Sequence, residues 1–266
     1  MLGIHIDSNP KDLIYNADKA KNMGSNIIQL FVHINKKYRN HYNLLKDFLV
    51  KNNMACVVHI SYTINIAKEW NNYSWWINKF IMEIKIAGFI GAIAVIIHIG
   101  KDKDYSSNII DIMTSTLIYV NNQTNKYKNV KILIETSSGQ GNELCYKIDE
   151  LALLFNKLGN IKRFCLCIDT CHIFASGIDI RTKENVNEFI KLFDNLIGIK
   201  NIGLIHLNDS KRELGMKVDR HENIGAGFIG KIGLIYIYKL FMKYNVPVIL
   251  ETPSDNYITD LKILTT

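Results

Sequence analysis

The feature that most constrains the fold is an alternation of short apolar segments with longer amphipathic ones, repeated eight times along the chain. The short segments are rich in valine and isoleucine, which favour β-strands. They are Leu2–Asp7, Asn26–His33, Ala55–Tyr62, Ala92–Gly100, Lys131–Ser137, Phe164–Thr170, Ile202–Asn208 and Val246–Glu251. Strands that are apolar along nearly their whole length, separated by helices, indicate a parallel α/β sheet whose faces are both covered.

The segments between these strands have the apolar period of amphipathic helices. They are Asp12–Met23, Tyr42–Lys51, Ser74–Ala87, Asn108–Val120, Leu144–Leu158, Asn185–Leu196 and Ile229–Tyr244, followed by a short final segment, Asp255–Thr266. Eight strand–helix units in 266 residues predict a single (β/α)₈ TIM barrel that occupies residues 1–266 as one domain. An open, doubly wound sheet is the competing architecture.

Acidic and imidazole side chains come just after the apolar run of most predicted strands. They are His59, His98, Glu135, Asp169, His172, His206, Asp219, His221 and Glu251. In a closed barrel the carboxyl ends of all strands meet at one mouth, so the barrel brings these side chains together, whereas an open sheet spreads them along an edge. The set predicts a metal site at the mouth with more than one ion, because a single zinc takes about four ligands. His5 is expected to pack behind this set, and His33 and His41 are expected to be surface or loop residues.

The composition favours an anionic partner and excludes a membrane protein. Lysine and arginine exceed aspartate and glutamate by 32 to 25, which gives a net charge of +7. Several of these cations follow predicted strands and are candidates for phosphate contacts, although a solvated loop explains any one of them: Lys36, Lys37, Arg39, Lys101, Lys103, Lys211, Arg212, Lys217 and Arg220. The longest apolar run, 87–97, is too short to cross a bilayer, and no signal peptide is expected.

The five cysteines indicate reduced thiols in an intracellular protein, because they are odd in number and scattered through apolar strands. Cys165, Cys167 and Cys171 are expected to be small buried hydrophobic residues, with thiolate ligation of zinc as the alternative. Two glycine-rich segments, 137–141 and 224–230, follow ligand candidates. Either segment can approach a phosphate with its backbone or form tight turns.

Long motifs around these candidates resemble the endonuclease IV family, the zinc-dependent class II apurinic/apyrimidinic (AP) endonucleases. The strongest are CIDTCHIFASGID at 167–179, HLNDSK at 206–211 and DRHENIGAG at 219–227. HISY at 59–62, Glu135 with GQG at 139–141, and LETP at 250–253 also match. The resemblance covers nearly the whole chain.

The resemblance implies a (β/α)₈ barrel that binds three zinc ions, with Mn²⁺ as an alternative at one of them. It assigns His59, His98 and Glu135 to the first ion, Glu135, Asp169, His206 and Glu251 to the second, and His172, Asp219 and His221 to the third. It also implies hydrolysis of the phosphodiester 5′ to an abasic site by a water that the metal ions activate, with Glu135 and Glu251 at the reacting phosphate. The expected partner is double-stranded DNA with abasic sites or blocked 3′ ends, bound by a monomer.

Some residues depart from the family pattern. After the second strand the family usually has an arginine and a tryptophan that enter the DNA, whereas this chain has Lys36, Lys37, Tyr38 and Arg39. Thr63 replaces the usual leucine after Tyr62, and Ile99 replaces a proline. We expect Tyr38 and Tyr62 to contact DNA, Tyr38 by stacking. Two other hypotheses stay open: a sugar isomerase or epimerase on a related barrel, which needs fewer ligands, and a catalytically silent DNA-binding descendant, which should lack a ligand.

Overall fold

Eight parallel strands close into a barrel. The computed structural model describes residues 1–104 and 106–266. Its strands are β1 Leu2–His5, β2 Ile27–Phe31, β3 Ala55–His59, β4 Ala94–His98, β5 Lys131–Glu135, β6 Phe164–Asp169, β7 Ile202–His206, β8 Asp209–Ser210, β9 His221–Glu222 and β10 Val248–Leu250. β1 pairs with both β2 and β10, which closes the sheet, while β8 and β9 form a separate antiparallel hairpin. The predicted TIM barrel is confirmed, and the open sheet is excluded.

Helices surround the barrel between successive strands. They are α1 Leu13–Asn22, α2 Arg39–Lys51, α3 Trp75–Ile90, α4 Ile109–Gln123, α5 Ile148–Lys157, α6 Thr170–Ala175, α7 Lys183–Leu196, α8 Lys231–Lys243 and α9 Tyr257–Thr265. Alternate strand residues point outward and pack against these helices in one continuous apolar cluster. The intervening residues fill the barrel axis with a smaller cluster: Ile27, Val57, Ala94, Ile96, Leu133, Cys167, Leu204 and Ile249. Both strand faces are therefore buried, which explains their continuous apolar sequence.

Two local differences from the predicted elements have clear causes. The helix predicted from Leu144 begins only at Ile148, because the Leu144 N–H donates to the Gly100 carbonyl and Cys145 has a φ of 51°. The sequence pattern does not separate the short helix α6 from the strand before it. This helix begins directly after Asp169, whose side chain accepts a hydrogen bond from the His172 N–H at 2.9 Å. Asp169 therefore caps a helix as well as ending a strand.

The described chain contains no helix that combines the length and apolarity needed to cross a membrane. All five cysteines are free thiols; Cys165 is partly buried and the others are buried. This agrees with the sequence-based interpretation of them as small apolar residues rather than a disulfide framework.

Candidate metal centre

The strand register places the ligand candidates in one layer at the carboxyl end of the barrel. His59, His98, Glu135, Asp169 and His206 are the last residues of β3 to β7 in turn. His98 pairs in register with Glu135, and Asp169 pairs with His206. Because parallel strands end at the same rim, consecutive strands deliver one ligand each to the same layer.

Glu135 lies at the centre of this layer and faces two groups of imidazoles. Its Oε2 is 3.3 Å from His59 Nε2 and 3.0 Å from His98 Nε2. Its Oε1 is 2.7 Å from His206 Nδ1. The side chain is only 1% exposed. A carboxylate whose two oxygens face different nitrogen groups has the arrangement of a bridging ligand between two cations.

A second group forms on the other side of Glu135. His206 Nδ1 is 3.3 Å from Glu251 Oε2 and 3.9 Å from Asp169 Oδ2. One ligand atom from each of Glu135, Asp169, His206 and Glu251 lies within 4.8 Å of the others. Three carboxylates around one imidazole concentrate negative charge, which a divalent cation would neutralise.

A third group lies nearer the solvent, around Asp219. The Asp219 Oδ1 atom is 3.3 Å from His172 Nε2 and 3.1 Å from His221 Nε2. Asp169 Oδ2 is 3.5 Å from His221 Nε2, so Asp169 adjoins both the second and the third group. Both Nε2 atoms are buried without a hydrogen-bond partner. Buried nitrogens rarely stay unpaired, and here two of them converge beside one carboxylate, as metal ligands would.

Backbone carbonyls set which nitrogen these histidines present. His59 Nδ1 donates to the Ile60 carbonyl at 2.8 Å, and His172 Nδ1 donates to the Thr136 carbonyl at 2.8 Å. His221 Nδ1 donates to the Glu251 carbonyl at 3.2 Å. Since a carbonyl only accepts, Nδ1 carries the proton in each case and Nε2 is left to bind a cation. The residues fit the metal ions that the family resemblance implies.

The charges of the site are strongly coupled. Burial alone would raise the pKa of Glu135, but His98 and His206 outweigh it and hold the pKa well below its usual range. Burial likewise opposes the charged form of His172, yet Asp169 and Asp219 raise its pKa well above the usual value. Glu135 is therefore ionised at neutral pH, and a cation that binds at His172 displaces a proton from its imidazole.

The thiols of two cysteines lie close to the second and third ligand groups. Cys167 adjoins Glu135 and His206, and Cys171 adjoins Asp219 and His221. Burial raises the pKa of each of these thiols to about 12. Because only the thiolate is a good ligand, the site is one of nitrogen and oxygen donors at neutral pH.

Side chains that the sequence analysis did not single out hold the ligands in place. Asn208 donates from Nδ2 to Asp169 Oδ2 at 2.7 Å and accepts from the Glu251 N–H at 2.8 Å. Gln140 Oε1 accepts from the Asp219 N–H at 3.1 Å. Gln29 contacts both Glu251 and His206. The available signal was a polar residue inside or just after an apolar strand.

The glycine-rich segment 224–230 does not offer its amides to a ligand. The buried carboxylate of Asp209 accepts hydrogen bonds from the N–H groups of Gly225, Gly227, Ile229 and Gly230. These amides are thereby satisfied within the protein, which supports the tight-turn interpretation over a phosphate cradle.

The sequence relationships agree with this geometry. A family model described as a xylose isomerase-like TIM barrel matches residues 17–265. A protein of Acanthamoeba polyphaga mimivirus assigned as endonuclease 4 is 35% identical over 270 residues, covering 96% of this chain and 86% of that protein. The chain belongs to the endonuclease IV family.

Further relatives of this member of the endonuclease IV family show how far the likeness extends. An apurinic-apyrimidinic endonuclease of Caenorhabditis elegans is 41% identical over 143 residues, which is 52% of this chain and 35% of that protein. The crystal structure of endonuclease IV from Thermus thermophilus superposes with a TM-score of 0.82 at 21% identity, over 99% of this chain and 97% of the other. At that identity the superposition shows the common fold.

The tyrosine of the HISY motif lies at the rim of the candidate metal centre. Tyr62 is 66% exposed, and its ring centroid is 5.2 Å from those of both His59 and His98. Its loop is anchored from below, because Glu83 Oε2 accepts from the Ser61 N–H at 2.9 Å. An exposed aromatic ring beside the ligands is well placed to stack on a nucleotide.

Tyr38 and Lys37 lie farther from the ligands. Tyr38 is half-buried between the rings of His33 and His41, and Lys37 Nζ is 4.8 Å from its ring centroid. An open cleft of about 750 Å³ joins Tyr38 to Tyr62 and is also lined by His5. Tyr38 therefore shares a cleft with the rim of the site.

Four of the other candidate cations divide between two places. Lys36 and Arg39 line an apolar groove on the outside of the barrel, and the Arg39 guanidinium lies 5.7 Å from the Phe89 ring centroid. Lys211 and Arg220 are joined by a backbone hydrogen bond at the end of the β8–β9 hairpin. The structure thus brings Lys211 and Arg220 beside the third ligand group, and places Lys36 and Arg39 away from it.

Proposed function

We propose that this protein is a metal-dependent AP endonuclease of DNA base excision repair. It hydrolyses the phosphodiester 5′ to an abasic site in double-stranded DNA and leaves a 3′-hydroxyl, and the same centre removes blocking groups from 3′ ends. The observation that carries the proposal is the convergence of all nine ligand candidates into three groups, of which the first two share Glu135 and the second and third adjoin at Asp169. Family membership supplies the substrate class.

The ions we assign to the three groups are zinc, with Mn²⁺ able to replace one of them. Five imidazoles and four carboxylates form a borderline donor set that suits zinc, and the neutral thiols do not compete. When bound, such ions lower the pKa of water and neutralise charge on a phosphate.

The protein side chains supply position and charge at the reacting phosphate. Glu135 and Glu251 remain ionised because neighbouring histidines hold the pKa of each carboxyl low against the effect of burial. Glu251 is the more accessible, with a side chain 12% exposed against 1% for Glu135. Glu251 therefore faces the incoming water and phosphate, while Glu135 holds the interior of the site together.

The rim of the site supplies contacts for DNA. Tyr62 offers a stacking surface beside His98, and Lys211 and Arg220 offer cations beside Asp219. An abasic site is a suitable target because a nucleotide without its base costs little to turn out of the stack. We assign the protein to the cellular compartment that contains DNA with abasic sites. We expect it to act as a monomer.

The third ligand group separates this proposal from a sugar isomerase on a related barrel. An isomerase needs one group of metal ligands and a dedicated acid–base pair. It therefore does not require the third group, which consists of His172, Asp219 and His221. A silent DNA-binding descendant is disfavoured because every ligand candidate of the family motif is present.

The test is an incision assay on a duplex that carries one tetrahydrofuran abasic analogue, labelled at either end. Zinc-loaded protein is expected to cut once, 5′ to the analogue, and to leave the matched intact duplex uncut. Chelator should abolish the cut and added zinc should restore it. Absence of incision by metal-loaded protein, together with epimerisation of a ketose, would overturn the proposal in favour of the isomerase.

A further inference from the structure

Gln29 is a polar side chain in the middle of an apolar strand. It is flanked by Ile28 and Leu30 in β2, and it is 0% exposed. Its Cα pairs in register with that of His5 on β1. Burying an amide costs free energy unless its donors and acceptor are satisfied, so its contacts indicate why a polar residue is tolerated there.

The amide of Gln29 joins two ligand candidates and a third histidine. Nε2 donates to Glu251 Oε1 at 2.5 Å and contacts His5 Nδ1 at 2.9 Å. Oε1 is 2.8 Å from His206 Nε2. A carboxylate only accepts, so the amide nitrogen must face Glu251 and the amide oxygen must face His206.

This orientation determines which nitrogen His206 presents to the site. With Nε2–H donating to Gln29, the Nδ1 atom of His206 is directed at Glu135 Oε1 and Glu251 Oε2, at 2.7 and 3.3 Å. In His59, His172 and His221 a backbone carbonyl holds the outer nitrogen. At His206 the Gln29 side chain takes the place of that carbonyl. Its amide nitrogen also restrains the Glu251 carboxylate.

We propose that Gln29 is a positioning residue of the second ligand group, which fixes the tautomer of His206 and the orientation of the Glu251 carboxylate together. The inference rests on the proposed function, because it assigns a role within that metal centre. Only a side chain as long as glutamine that both donates and accepts hydrogen bonds can contact Glu251 and His206 in this way. Methionine fills the same volume but lacks the hydrogen bonds, and glutamate would place an acceptor against Glu251 where a donor is needed.

The test compares Gln29→Met with the control Leu30→Met. Leu30 is the next residue of β2, is equally buried, and packs in the outer apolar cluster away from the ligands. Zinc affinity is measured by competition with a chromogenic chelator, and kcat and KM are measured on the abasic duplex. Thermal melting of the metal-free proteins reports folding separately.

For Gln29→Met we expect a loss of about 10- to 100-fold in zinc affinity at one site or in kcat, with KM and metal-free melting near wild type. Leu30→Met should match wild type in all four quantities. If Gln29→Met folds and keeps both zinc affinity and kcat, the inference is wrong. If Gln29→Met does not fold, Gln29→Glu replaces it as the test, and normal zinc affinity and kcat in that variant would also contradict the inference. Failure of wild-type protein to incise abasic DNA would instead count against the proposed function.

Discussion

Asp219 and His221 lie two residues apart, and the Asp219 Oδ1 atom is 3.1 Å from His221 Nε2. The second of the pair begins the short strand β9, and in extended backbone residues two apart face the same way. His172 reaches the same oxygen from α6, at 3.3 Å. The third ligand group is therefore a local pair completed by one distant side chain.

The first prediction concerns metal content. Protein purified without chelator should contain three zinc-type ions per chain, because nine ligand candidates supply about three or four donors to each ion when some are shared. Elemental analysis against quantitative amino-acid analysis measures the ratio. Asp219→Ala should lower the ratio to two, and His33→Ala, which alters an exposed loop histidine, should leave it at three. One ion per chain at saturation would contradict the three-ion assignment.

The second prediction separates chemistry from binding. Glu251→Gln should reduce single-turnover incision by roughly 10²- to 10³-fold, because it removes a charge at the reacting phosphate. Affinity for the same abasic duplex should change only a few-fold, since the cations of the rim are unaltered. Glu213→Gln, an exposed substitution of the same type, is the control. Equal and small losses in both measurements would place Glu251 outside the chemistry.

The third prediction concerns Glu83, which is buried beneath the Tyr62 loop. Burial raises the pKa of Glu83 to about 7 in the folded protein, against about 4.3 in an unfolded chain. Between these values the folded state binds more protons, so stability falls as pH rises through this window and levels off above about pH 7. From pH 5 to 8, wild type should lose roughly 2 to 3 kcal/mol more free energy of unfolding than Glu83→Gln.

Urea unfolding of both proteins at several pH values measures that difference. The glutamine variant keeps an acceptor for the Ser61 N–H, so its loop should stay anchored. Parallel pH profiles for the two proteins would show that Glu83 titrates normally.

The fourth prediction concerns lesion recognition. Tyr38→Ala should weaken discrimination between an abasic and an intact duplex, because aromatic stacking is worth about 1–3 kcal/mol and only a disrupted stack admits the ring. Tyr38→Phe keeps the ring and should behave as wild type. Titration of each variant against both duplexes gives the affinity ratio. An unchanged ratio in Tyr38→Ala would leave Tyr62 as the aromatic residue to test.

The fifth prediction concerns the lysines next to Tyr38. Replacing Lys37 by Ala should weaken binding to both duplexes alike and flatten the salt dependence by about one unit of slope, if its ammonium contacts a phosphate. Lys36→Ala provides a comparison, because Lys36 lines the groove outside the barrel. A change in the abasic-to-intact ratio for Lys37→Ala would show that this lysine reads the lesion instead.

The barrel and the layer of ligands follow from the sequence for the same reason. Parallel strands end at one rim, so polar residues after apolar runs, such as His98 and Glu135, must meet there. The contacts behind the ligands do not follow in this way. Gln29 and Asn208 act through the direction of an amide, which depends on strand twist and side-chain rotamers rather than on spacing.

The sequence pattern also does not predict the contacts that the loop residues make. The sequence pattern does not indicate that Arg39 packs over Phe89, which it does because α2 begins at that residue and turns its side chain toward α3. From sequence alone, the amides of the glycine-rich segment can bind a phosphate or form turns. Which occurs depends on Asp209, whose carboxylate reaches them only in the folded chain.

The closure of the barrel by β10 determines when the enzyme can become active during its synthesis. Most of the ligand residues leave the ribosome well before position 251, but Glu251 follows the strand that seals the sheet between β7 and β1. A nascent chain thus has no complete second ligand group until its last strand has been translated and inserted. Incomplete translation products, such as those of a stalled ribosome, would therefore lack a complete second ligand group and could not cut DNA.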